Sequence, residues 1–286
     1  MISLGHLLAY DFVRNALIAG TLVAVTAGIA GYFVVLRGLS FAGHALSHVG
    51  FAGATGAVAL GIPAVFGLLG FALLGAVGMG ALGDRVRGRD VAIGIVLAWS
   101  LGLGVLFLSL YKGYATEAYA LLFGEILGIS ATSVVVTAVA SFIALGALAL
   151  MYRPLLFTSI DPDAALARGV PVRAVAIGFM LVLGLAVATA AQVVGVLLVF
   201  ALLVTPAAIA ERLTATPVHA IALSVGFALA FTWGGLLLAL CLPYPVSFFI
   251  TTLAFAGYVS VRTLRRPVAI RVRSPHEPTA ARLVSR

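Results

Sequence analysis

Apolar residues run in long continuous stretches broken by short polar joints, at roughly 12–36, 39–60, 64–83, 91–110, 131–151, 173–191, 193–212, 217–240 and 246–263. Most approach the ~20 residues that carry a helix across ~30 Å of hydrocarbon. The runs are solid rather than alternating, which selects helices over a barrel. From Ala174 to Leu213 no charge appears before Glu211, so this stretch is divided at the polar Thr189 and Gln192. If one of the two pieces is a half-span or re-entrant element, nine segments become eight. The first run is about 25 residues long, and Met1–Tyr10 has no basic region before it, so it does not read as a cleaved signal. The pattern predicts an all-α polytopic membrane bundle of eight to nine spans within residues 1–263.

Composition agrees: 63% of the 286 residues are hydrophobic and 9% are charged, against about 25% charged in soluble domains. The net charge of +8 comes from 17 basic and 9 acidic residues, and by itself it would suggest nucleic acid. Its distribution says otherwise. With Arg85, Arg87 and Arg89 inside and the chain alternating from there, Arg37, Arg153, Arg168, Arg173, Arg212 and the tail arginines also lie inside. Only Arg14 and Lys112 remain outside. The opposite orientation reverses this ratio, against the positive-inside rule. Nine spans then place the N-terminus out and the C-terminus in the cytoplasm, and the charge records orientation, with no nucleic acid partner. Cys241 is the single cysteine and excludes an internal disulfide. Thirty-two glycines suit closely packed spans.

Two polar stretches interrupt the pattern. Residues 111–130, with Glu117 and Glu125, fall outside, and residues 152–173 fall inside. In the second, Asp161 suits a helix cap, Pro162 the first helical position, and Gly169 the residue past the end. A two-turn helix with Asp163, Ala164 and Arg168 is expected there; a plain solvated connector is the alternative. Residues 264–286 read as a disordered basic tail, touching anionic lipid or only fixing topology.

Inside the spans almost nothing ionises except His44 and His48 in LSFAGHALSHVGFAGATGAVAL. Four residues apart, they share a helix face. Intramembrane ionisable groups are costly and mark pathways, cavities or partners. The same spacing places two imidazoles on one metal, as in HExxH, but Ala45 stands where that motif has its catalytic glutamate. Transient metal contact without hydrolysis is therefore favoured over an intramembrane protease. Cross-helix hydrogen bonding is the structural alternative, and a proton relay the other functional one. Ser47 lies off that face and suits a helix–helix hydrogen bond. Gly43, Gly50, Gly53, Ala54, Ala57 and Gly61 suit a close helical neighbour. Thr205 with Pro206 marks a kink, and Gln192 lines a path or satisfies backbone at a helix break. The only lysine is Lys112 and no G-x-x-x-x-G-K-[ST] occurs, so any ATPase is a separate chain.

From about Asp11 to Leu264 the chain resembles the membrane permease of the zinc/manganese/iron ABC uptake transporters. The likeness rests on DFVRNALIAG, VVLRGLSFAGHALSHVGFAG, DVAIGIVLAWSLGLG, LLFGEILGIS, SIDPDAALARGV and VVGVLLVFALLVTPAAIA. It implies a helical homodimer around a central path in the bacterial inner membrane. It also implies two cytoplasmic ATPase subunits and an extracytoplasmic metal-binding protein. The helix at 161–169 is then the coupling helix that docks on the ATPase, and His48 lies on the ion path. His44 stands where the family usually has aspartate, and Ala52 where it has proline. Imidazole in place of carboxylate moves the expected cargo to zinc, with manganese or iron import as the alternative. No permanently bound cofactor is expected.

Overall fold

A computed structural model describes residues 10–82, 89–110, 122, 124 and 126–264. Among these, all regular structure is helical: α1 (Asp11–Leu36), α2 (Ser40–Ala59), α3 (Ala64–Leu82), α4 (Arg89–Leu110), α5 (Ala131–Ile160), α6 (Pro162–Ala167), α7 (Val172–Val194), α8 (Val199–Leu213), α9 (Pro217–Cys241) and α10 (Val246–Leu264), with one 3₁₀ turn at Ile126–Gly128. Arg85, Arg87, Lys112, Glu117, Glu125 and the tail beyond Leu264 lie outside the described residues.

Each of the nine apolar runs forms a helix. Seven are long and apolar enough to cross a membrane, and the other two are α2 and α8. The first carries both histidines; the second has 15 residues. At 1.5 Å per residue α8 spans about 22 Å, short of ~30 Å. The break before it falls later than Thr189 and Gln192, both of which remain within α7. It comes at Gly195, whose φ of +93° ends α7, and the chain turns back into α8 at Val199. A polar side chain inside a long apolar helix does not end it, because the backbone ladder continues past it. A glycine free to take positive φ does.

The polar stretch at 152–173 is also corrected. Helix α5 runs for 30 residues to Ile160 and carries Pro154 internally. Proline removes one backbone donor and frees one carbonyl. A helix of 30 residues is about 45 Å long, longer than ~30 Å of hydrocarbon. The connection between α5 and α7 shrinks to α6 and its flanking residues.

Helices α1 and α7 form the centre: 67% and 72% of their apolar windows are buried, against 17% for α4. Along α4 the large side chains Ile95, Trp99 and Val105 are exposed, an apolar face suited to lipid tails. The pair α2 and α3 packs at backbone distance. A Cβ on Gly53 would lie 2.2 Å from the Gly67 carbonyl oxygen, and one on Gly67 would lie 2.0 Å from that of Gly53. Only glycine permits this approach, which dispersion and backbone contact then stabilise.

Candidate functional site

The site begins at the turn between α1 and α2. Gly38, with φ +65°, donates to Val35 O at 3.0 Å, and Leu39 donates to Val34 O at 2.8 Å. Both bonds satisfy carbonyls that the end of α1 would leave orphaned. The chain re-enters helix at Ser40, which fixes the rotation of α2 and directs its buried face inward.

On that face His44 and His48 meet, their ring centroids 4.7 Å apart and their planes at 86°. His48 is 6% exposed and His44 is half-buried. The Nδ1 atom of His48 is buried without a hydrogen-bond partner. Buried polar atoms are nearly always paired, so an orphan asks for a ligand, a water or a second role. Phe200 from α8 closes on the pair, its ring 5.7 Å from that of His44 and nearly perpendicular. Sequence reasoning missed Phe200, since nothing in an apolar run distinguishes the aromatic that will meet an imidazole. Thr205 and Pro206 lie on the same helix, with Pro206 buried and Thr205 half-buried. The proline leaves α8 helical as far as Leu213.

Ser47 does not bridge helices: its hydroxyl donates to His44 O at 2.7 Å within α2. An i−3 carbonyl is always within reach of a helical serine, and the bond removes the hydroxyl from outside competition. Gln192 stands apart from the histidines. Its Oε1 accepts from Thr137 of α5 at 3.5 Å. It also lines a cavity of about 350 Å³ with Ser130, Ser133, Pro63, Leu68 and Ile129. The neutral oxygens there can receive a hydrated ion, but no acid among the described lining residues would hold it. Glu211, near the end of α8, has one carboxylate oxygen buried without a hydrogen bond. Its neighbour Arg212 reaches the Tyr258 hydroxyl at 3.4 Å.

Helix α6 is a separate construction. Asp161 accepts from Ala164 N at 2.9 Å, Pro162 takes the first helical position, and Gly169 turns out with φ +79°. Gly169 donates to Leu166 O and Val170 to Ala165 O, both at 3.0 Å, which completes the C-terminal cap. Asp161 also closes α5, its N–H donating to Phe157 O at 3.1 Å. Its Asp163, Leu166 and Arg168 side chains are exposed, so α6 offers a small rigid surface at one end of the bundle.

Among the described residues no group of three or more histidine, cysteine, aspartate or glutamate side chains is arranged to hold a metal ion. An imidazole pair within apolar helices, with a separate capped helix at one end of the bundle, suits a multi-pass transport permease. Residues 9–264 match the model of the ABC 3 transport family, and the chain belongs to that family. It is thus the membrane subunit of a transporter and not an enzyme. It is 35% identical over 215 residues to the manganese transport system membrane protein MntC of Listeria monocytogenes, covering 75% of this chain and 76% of the relative. To the manganese import system permease protein ScaB of Streptococcus parasanguinis it is 36% identical over 202 residues, covering 70% and 72%. A solved structure of PsaBC from Streptococcus pneumoniae in complex with Fab superposes with a TM-score of 0.81 at 31% identity, covering 90% of this chain and 93% of the other.

Proposed function

We propose that this chain is the permease of an ATP-driven importer of divalent metal ions, with manganese as its cargo. The observation that carries the reading is the imidazole pair on the inner face of α2, with His48 buried and its Nδ1 left unpartnered. Two imidazoles, with water completing the shell, suit brief contact with a passing dication. An ion that crosses must bind well enough to enter and weakly enough to leave. Nitrogen donors bind manganese more weakly than zinc, so a nitrogen pair releases manganese readily and retains zinc.

The expectation of zinc, drawn from His44 in place of aspartate, gives way to manganese because the relatives reported above carry manganese in their names. The imidazole at position 44 would bind zinc more tightly than manganese, and uptake decides which of the two ions is passed on.

In this reading the seven long helices and α2 cross the membrane, and α8 completes a ninth crossing only together with the turn at 195–198 that precedes it. Residues 1–263 act as one transmembrane domain in the bacterial inner membrane, N-terminus outside, with 264–286 as a cytoplasmic tail near lipid headgroups. Two copies surround the path, and an extracytoplasmic binding protein delivers the ion. The α6 segment, from Asp161 to Gly169, docks on a separate ATPase subunit and transmits its motion.

The test is uptake by vesicles holding the permease with its ATPase and binding protein. Manganese is expected to accumulate only with ATP, and His48→Ala to reduce uptake to background while the complex still co-purifies. Zinc is expected to inhibit. Zinc accumulation without manganese uptake would reverse the cargo. Uptake driven by a proton gradient, with no need for ATP, would replace the importer with a secondary transporter.

A further inference from the structure

We infer that Arg37 is a positioning residue for transport: a strut that ties the end of α5 beside the coupling helix to the start of the histidine helix. Its guanidinium lies over the Phe179 ring of α7, 5.7 Å from the centroid, and its Nη1 donates to Thr158 Oγ1 of α5 at 3.5 Å. Thr158 is 2% exposed, so the acceptor is held by packing. The aromatic face fixes the plane of the guanidinium, and the hydroxyl fixes its direction. Arginine is suited to both contacts because its group is planar and presents several donors.

What lies on either side makes the contact mechanical. Three residues beyond Thr158, Asp161 closes α5 and opens α6 with bonds of 3.1 and 2.9 Å, so one residue joins the two helices without slack. On the other side, Arg37 is the C-cap of α1, followed by the tight turn through Gly38 that starts α2. His44 is four residues into α2 from Ser40, about 6 Å along the helix at helical rise. A displacement of α6 against its ATPase therefore reaches α2 through Thr158, Arg37 and one short turn. Phe179 holds the strut against the central helix α7, which is the support it pivots on.

This inference rests on the proposal that α6 docks on an ATPase. The experiment measures ions imported per ATP hydrolysed in the reconstituted complex. Arg37→Lys keeps the positive charge that sets topology but loses the planar group; Thr158→Val keeps shape and loses the hydroxyl. Each is expected to lower the ratio about fivefold. Binding of manganese and co-purification of the ATPase should not change. The double variant should be no worse than either single one, and Thr158→Ser should restore the wild-type ratio. An unchanged ratio, multiplying effects in the double variant, or equal losses in Thr158→Ser and Thr158→Val would each overturn the strut. The docking reading is tested separately by Leu166→Arg on the exposed face of α6. If hydrolysis and co-purification are untouched there, docking fails and the strut falls with it. If docking is lost there while Arg37 and Thr158 act independently, only the strut fails.

Discussion

Helix α6 satisfies both its ends from residues within its own ten-residue neighbourhood, whereas α2 takes its course from the helices around it. Asp161, Pro162 and Gly169 cap α6 through bonds no longer than 3.0 Å, and its outward side chains remain in solvent. Helix α2 has no such side-chain cap at its start and almost no exposed side chain after Phe41 until its end. Its rotation is set by a turn from α1, its distance from α3 by a pair of glycines, and its chemistry by Phe200 from α8. A short motif can therefore specify α6 completely. The residues of α2 only propose a site, which its neighbours complete.

That contrast is open to direct attack, most forcefully at Gly53. A single methyl group, Gly53→Ala, would lie 2.2 Å from the Gly67 carbonyl oxygen and must drive α2 from α3. A loss of about 3 kcal/mol or more is expected, read as a lower melting temperature of the purified permease and loss of manganese uptake. Unchanged stability would show that α2 does not depend on α3 in the way its packing implies.

A smaller effect is expected in α6. Asp161→Ala removes the bond to Ala164 N and should cost about 1 kcal/mol of local helix stability. Hydrogen exchange of the amides at 163–167 should rise while those of α2 stay protected. Faster exchange along α2 as well would mean that the two helices are less independent at rest than their separate capping suggests.

The smallest effect belongs to Ser47. Its hydroxyl bonds only to its own helix, at 2.7 Å from His44 O. Ser47→Ala is expected to change stability by less than about 0.5 kcal/mol and to leave the manganese concentration for half-maximal uptake unchanged. A marked rise would place Ser47 on the ion path.

Legibility followed the same division. The all-α bundle and its nine apolar helices were readable because lipid imposes length and apolarity on every span. The cap at Asp161 and the stop at Gly169 were readable because the groups that bond there are neighbours in sequence. The position of the break between α7 and α8 was misplaced at Thr189 and Gln192, since polarity was taken as the signal where backbone freedom at Gly195 acts. The stretch from 152 read as a polar loop, yet α5 continues to Ile160. In the candidate site, both histidines were evident from their cost in hydrocarbon. Phe200, the Thr137–Gln192 contact and the separation of Gln192's cavity from the imidazoles were not.

By itself, then, the sequence determined what depends on solvent and on near neighbours: apolar helices, the capped helix α6 and the imidazole pair on one face. The tertiary structure alone decided that α1 and α7 are central, that α8 is short and brings Phe200 to His44, and that Arg37 reaches Thr158 across 121 residues of chain. The physical reason is range. A cap bond closes within one helical turn, and hydrophobic length is a property of a single segment. A contact between helices depends on the rotation and depth of both, which only the packing of the whole bundle sets.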